Sequence, residues 1–335
     1  MSVANAFTSG IRRVNHAPSL LVGVWLLTFL AALPLGLQVR AAIAESLGAS
    51  PAAGAAARGV DYTWWQQFSE EATGPSKAFS PAIVGGAAVI DNLSSIIDNR
   101  SHEIAVAAAG FTYAIVWLIL AGGILDRYAR NRKVGSFAFF SACGGYFARF
   151  ARLAIVAGLA YVALFAWLHG WLFDGIYPRV TANWTVEWHA FALRVSLYCL
   201  FGAALCLCNL VFDYAKVRIV VEDRRSVVGA TIGALRFVRR RPGVLALYLI
   251  DGCCFAVVMT AYALAAPGAR VSPWWTLAAG QAYLLARIWV KLLFYASEVA
   301  YFQGSLAHAA HLARPLPAWP DSPAADIADS PPAKD

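Results

Sequence analysis

The chain has 335 residues, of which 60% are apolar and only 14% charged, whereas a soluble domain runs near half apolar and a quarter charged. Its formal charge of +8 comes from 27 Lys and Arg against 19 Asp and Glu. These values exclude an ordinary water-soluble globule, and the basic excess implies no nucleic-acid partner because it borders apolar stretches.

Crossing a hydrocarbon core of about 30 Å takes roughly 20 apolar residues in helical conformation. Residues 19–39, 104–125 and 153–173 meet that length without a charge, and 190–212, 243–268 and 271–296 meet it while carrying Arg194, Asp251 and the pair Arg287 and Lys291. The fold class expected is therefore all-α, a polytopic transmembrane helical bundle of about six spans, with one membrane domain over residues 1–311. The first apolar run exceeds a signal-peptide core of roughly 7 to 15 residues, so it is read as a retained anchor in which Pro34 is a tolerated kink.

Residues 41–103 are too long for a simple connector and are expected to form an outer helical cap. Asp61 is placed to cap a helix through Trp64, Trp65 and Phe68, after a Gly- and Ala-rich link from Gly48 to Gly59. Ser80 and Pro81 give a cap and a first-turn proline for a second helix, with Ile83, Ala87, Ile90, Leu93 and Ile97 on one face. Gly122 and Gly123, late in the second span, are read as small residues that let helices pack closely.

Residues 213–241 continue from the fourth span as an inner amphipathic segment. Ser226 is placed to cap a helix whose stripe is Val227, Thr231, Leu235 and Val238, and Pro242 ends it. Residues 312–335, rich in Pro, Ala and Asp, are expected to be a disordered cytoplasmic tail.

Lys and Arg are distributed unequally among the connecting segments, with 18 on the side holding both termini and 6 on the other. The positive-inside rule makes the richer side cytoplasmic. Clusters at Arg127/Arg130/Arg132/Lys133 and Arg236/Arg239/Arg240/Arg241 abut span ends. The second cluster suits the helix dipole and provides candidate contacts, Arg236, Arg239, Arg240 and Arg241, to anionic lipid headgroups, which with the bilayer are the expected partners.

The stretch Val220-Val221-Glu222-Asp223-Arg224-Arg225-Ser226-Val227, followed by Ala230, Ala234, Leu235, Phe237 and Arg240-Arg241-Pro242, resembles a pattern in six-span membrane domains that precede some glycerophosphodiester phosphodiesterases, and in related stand-alone bacterial inner-membrane proteins. The resemblance implies a bacterial inner-membrane location and a similar helical arrangement, and it carries no catalytic residue.

Ionisable groups at membrane depth are costly and mark partners or wet cavities. Asp251 lies about 12 Å and Arg287 about 14 Å from the inner ends of consecutive antiparallel spans, at 1.5 Å per residue. The expectation is an Asp251–Arg287 ion pair, with Lys291 one turn further and Glu298 two turns beyond it. The six cysteines avoid the outer loops and suggest no disulfide framework, and His308 and His311 lack further ligands nearby. No nucleotide, metal or catalytic fingerprint is present, so no cofactor is expected and an enzyme is not favoured. The sequence favours a structural or interaction protein of the inner membrane. Its alternative is a transporter or lipid-binding protein using Asp251, Arg287 and Lys291.

Overall fold

The computed structural model describes residues 1–48, 50–56, 61–80, 86–100, 103–131, 134–266 and 272–313, with side chains up to residue 307. Arg132, Lys133, Pro81, Ile83, the side chains of Ala87, His308 and His311, and the tail from residue 314 lie outside the described residues.

Every described element is helical. In chain order they are α1 (Val3–Asn15), α2 (Pro18–Gly48), α3 (Ala53–Ala56), α4 (Tyr62–Glu71), α5 (Gly86–Ile97), α6 (Ile104–Arg130), α7 (Ser136–Val162), α8 (Tyr177–Thr181), α9 (Glu187–Val221), α10 (Val227–Arg240), α11 (Pro242–Ala265) and α12 (Pro273–Ala313). Two π-helical stretches, Ala163–His169 and Trp171–Ile176, join α7 to α8, so one continuous helix runs from Ser136 to Thr181. Six helices are long and apolar enough to cross a bilayer: α2, α6, α7 with its continuation, α9, α11 and α12. The chain is a multi-pass membrane protein.

The spans are longer than their apolar cores. Helix α7 begins at Ser136, where the sequence suggested a loop up to residue 152, and α9 runs unbroken to Val221, so Asp213 and Lys216 belong to a span. Intrahelical hydrogen bonding costs nothing at a helix end that enters the headgroup zone, so charge in the sequence does not end the helix. Asn131 ends α6 in the left-handed conformation at φ 48°, with its N–H donating to the Arg127 carbonyl at 3.0 Å.

Helix α1 is absent from the sequence reading, which assigned no element before the first span. Ser2 caps it by accepting from the Asn5 N–H at 3.2 Å, and Ala6, Gly10 and Val14, four residues apart, form its buried face. That face packs along α12 and against α11. A Cβ on Gly10 would stand 2.9 Å from Ser297 Cβ and 3.0 Å from its Cα, so only glycine permits this approach. Arg13 then donates to the Tyr128 carbonyl at 2.8 Å and to Gln303 Oε1 at 3.2 Å, tying α1 to the ends of α6 and α12, and burial lowers the pKa of its guanidinium.

Helices α6 and α7 cross at Gly122 and Gly123, as expected of small residues. A Cβ at Gly122 would lie 2.9 Å from Tyr146 Cβ, and one at Gly123 2.6 Å from Cys143 Sγ.

The described residues between α2 and α6 form short helices packed on the ends of the spans. Asp61 accepts from the Trp64 N–H at 3.1 Å, as its position implied, and Trp64 and Phe68 pack on the extended end of α2, where Trp64 Nε1 donates to Ser46 Oγ at 3.1 Å. Helix α5 leaves Ile90 and Leu93 exposed, an outward-facing apolar stripe suited to the membrane surface. It is strapped to the spans by Tyr198, whose hydroxyl donates to Asp98 Oδ1 at 2.6 Å, and by His169, whose Nε2 lies 3.1 Å from the Ile97 carbonyl. A carbonyl only accepts, so this contact calls for the Nε2–H tautomer.

Two outcomes follow. Gly10→Leu should lower stability by about 1–3 kcal/mol through overpacking, read as a lower thermal midpoint in detergent together with faster amide exchange in α1; an unchanged α1 exchange rate refutes the close approach. The Tyr198 bond, with smaller contributions from Ser94 and Arg100, holds the Asp98 pKa below its ordinary value. The strap is therefore present at neutral pH and above, and is lost only as pH falls through that depressed value, below about 4. Exchange at α5 should rise in acid in the wild type and be raised at every pH in Tyr198→Phe.

Candidate functional site

Helices α6, α7, α9, α11 and α12 enclose a cavity of about 990 Å³ in the membrane-spanning part of the bundle. Its α12 wall carries Leu284, Arg287, Ile288, Lys291 and Phe294, the apolar i, i+3, i+4 stripe of that helix interrupted by two cations. Lys291 sits about 25 Å from either end of the 34-residue span Trp274–Ala307, near its middle. Its Nζ lies 3.6 Å from the centroid of the Trp117 ring and 5.2 Å from that of Tyr113. Arg287 is exposed at the rim, 5.5 Å above the Tyr283 ring and 5.9 Å above Phe255. Aromatic faces attract cations and hold these two chains in place, yet they do not neutralise charge. Neither cation has an acidic partner within 4.0 Å among the described residues.

The α9 wall supplies a polar chain. Lys216 donates to Asp213 Oδ1 at 2.6 Å, Asn209 Nδ2 donates to Asp213 Oδ2 at 2.8 Å and to the Tyr248 hydroxyl at 2.9 Å, and the Tyr161 hydroxyl donates to Asn209 Oδ1 at 3.4 Å. Asn209, Asp213 and Lys216 are spaced four and three apart and so share one face of α9. Asp213 is already satisfied by Lys216, and Arg287 and Lys291 are basic side chains of the cavity without an acidic partner among the described residues.

The expected Asp251–Arg287 pair does not form. Asp251 is fully buried on the α11 face that also carries Val244 and Leu247, and Ser297 Oγ lies 2.6 Å from its Oδ2 and donates to it. The adjacent Gly252 lines the cavity, whereas Asp251 is turned about 100° away, toward α12 and the overlying α1. Counting residues from a span end fixes depth but not rotation. Only Arg287 and Lys291 of the three candidates therefore share a site, and Glu298 is buried elsewhere, with neither oxygen hydrogen-bonded. Sequence reasoning also missed Asp213 and Lys216, whose signal was the polar face beginning at Asn209.

Helices α7 and α11 line the cavity with a mixture of small residues, Ala154, Ala157, Gly158 and Gly252, and bulky ones, among them Phe150, Tyr161 and Phe255. Helix α7 packs on α6 and α9, α11 packs on α12, and Asn209 of α9 bonds to both Tyr161 of α7 and Tyr248 of α11. Arg194, expected to reach outward, donates to Tyr198 at 3.2 Å and belongs to the outer strap.

A second charged site lies at the end of the bundle formed by α10. The helix is capped by Ser226, which accepts from the Gly229 N–H at 3.2 Å. Its buried face is Val227, Ala230 and Ala234, with Phe237 and Val238 packed beside them; of the stripe inferred from sequence, Val227 and Val238 lie on this side while Leu235 is exposed, together with Val228 and Ile232. Small alanines allow the helix to lie close on α9, and this tight contact overrides the bulkier residues. Arg236, Arg240 and Arg241 line a groove there with Arg218 and Arg224, and Arg239 points elsewhere.

No family model matches the chain, and searches of curated proteins and of solved structures return no match. The geometry alone carries the functional reading.

Asp213→Asn leaves Lys216 uncompensated in the bundle and should cost about 3–5 kcal/mol. Thermal unfolding in detergent is expected to show that loss, with most of it recovered in Asp213→Asn/Lys216→Met; no recovery would mean that Asp213 acts through Asn209 instead.

Proposed function

We propose that the protein binds an anionic amphiphile taken laterally from the bilayer, as a lipid-binding or lipid-transporting membrane protein. The observation that carries this reading is the pair of basic side chains, Arg287 and Lys291, without acidic partners among the described residues, in a large aromatic-lined cavity among the spanning helices. Charge in such a place is retained at a cost and serves best as the counter-charge of a ligand. The cavity volume falls at the upper end of small-molecule sites, and its apolar walls suit an acyl chain. Arg287 at the rim meets the acidic headgroup first, and Lys291 draws it inward.

The structural or interaction role favoured by sequence has no feature as specific in its support. The location follows the same reading: a bacterial inner membrane, with both termini in the cytoplasm. The convergence of the basic ends of α1, α6, α9 and α10 on one end of the bundle supports that orientation.

Native mass spectrometry of the purified protein with added phosphatidylglycerol provides the test. Wild type should retain the lipid in preference to phosphatidylcholine, and Arg287→Gln/Lys291→Met should lower retention about tenfold, the equivalent of one charge-assisted hydrogen bond. Equal retention by the double variant, or a stoichiometric protein partner in its place, would overturn the reading.

A further inference from the structure

The groove beside α10 has a volume of about 580 Å³ and receives guanidinium groups from three places: Arg218 from α9, Arg224 from the following turn, and Arg236, Arg240 and Arg241 from α10. One carboxylate opposes them. Glu222 accepts from Arg218 at 3.1 Å and also pairs with Arg224, while Arg236 and Arg240 have no acidic partner within 4.0 Å among the described residues. Arg241 lies 5.5 Å above the Phe237 ring and Arg218 5.8 Å above Phe302, so aromatic faces orient two of the five.

Topology alone accounts for part of this. Arginines in the last turn of a helix complement its dipole, which explains Arg239 and Arg240. It does not explain why Arg218, from a different helix, lies across α10 toward them. That convergence depends on Gly233, where a Cβ would overlap the Arg218 guanidinium. The missing side chain thus makes room for Arg218, with its partner Glu222, beside the unpaired Arg236 and Arg240, and the net positive charge of the groove favours a further anion.

We propose that this groove is a second anion site, separate from the central cavity, which holds the phosphate of a phosphomonoester headgroup. Five planar guanidiniums against one carboxylate match a doubly charged phosphate better than a singly charged diester, and the arginine fork fits phosphate oxygens in pairs. The groove lies between the end of α9 and the start of α11, at the border of the spans. The exposed Val228, Ile232 and Leu235 on α10 are placed to meet acyl chains while the phosphate sits among the arginines.

Calorimetric titration of the full chain in mild detergent tests this, with dioctanoyl phosphatidic acid as the probe and dioctanoyl phosphatidylcholine as its control. Phosphatidic acid should bind and phosphatidylcholine should not. Arg236→Gln/Arg240→Gln should weaken phosphatidic acid by about tenfold or more. Gly233→Ala, which favours the helix and displaces only the flexible end of Arg218, should weaken it with the fold intact, as circular dichroism would verify. Competition by excess inorganic phosphate would support the site and extend it to soluble phosphate esters, and absence of competition would support it as a lipid site. Equal binding of phosphatidylcholine, or unchanged affinity in both groove variants, would overturn the proposal. So would loss of phosphatidic acid in Arg287→Gln/Lys291→Met alone, since the lipid would then belong to the cavity. That same cavity variant leaving phosphatidic acid binding intact supports the groove whatever becomes of the phosphatidylglycerol reading.

Discussion

Between Ile288 and Phe302, helix α12 is covered on nearly every side, by α1, α2, α6, α9 and α11. A helix surrounded in this way cannot divide its residues into an inner apolar and an outer polar half, so whatever polar groups it carries must be accommodated inside the bundle. Lys291 meets an aromatic cage, Ser297 meets Asp251, and Glu298 is enclosed without a hydrogen bond. The packing of the other helices is arranged around these three solutions. Helix α1 has to come close enough to seal Ser297, which Gly10 allows, and α6 has to present Trp117 to Lys291.

The two charged regions differ in how they treat their cations. In the central cavity, Lys291 is held against the Trp117 ring while Arg287 stands exposed at the rim, so the two basic groups meet different surroundings. In the groove, many arginines share one acid at the membrane border, where screening by salt is larger and affinity comes from the number of contacts. A headgroup of low charge suits the first setting and one of high charge the second.

The architecture was legible because hydrophobic length is a one-dimensional property: a stretch either spans the hydrocarbon or does not, and all six candidates became spans. Single-residue devices with local causes were also readable, such as the caps at Asp61 and Ser226 and the glycine pair at the α6–α7 crossing. Rotation was not. Asp251 and Arg287 were assigned matching depths, but they occupy faces that point apart, because azimuth is set by packing partners that lie far along the chain. The candidate site was half visible: Arg287 and Lys291 stood out as charges within an apolar run, whereas Asp213 and Lys216 were discounted because the fourth span was ended at residue 212. Helix α1 escaped notice since it is short and its fully buried face, Ala6, Gly10 and Val14, contributes by closeness and not by bulk, with Phe7 and Ile11 packed beside it.

The docking of α1 on α12 also constrains the order of assembly. Arg13 and Gln303, which hold the two together, are separated by 290 residues. At a synthesis rate of about 5–20 residues per second, α1 waits on the order of 15–60 s before its partner leaves the ribosome. During that interval its apolar face needs a temporary host, and the surface of the bilayer beside the translocon is the nearest one. An amphipathic helix with Arg12 and Arg13 in its last turn is suited to rest there until α12 arrives and α1 docks on it.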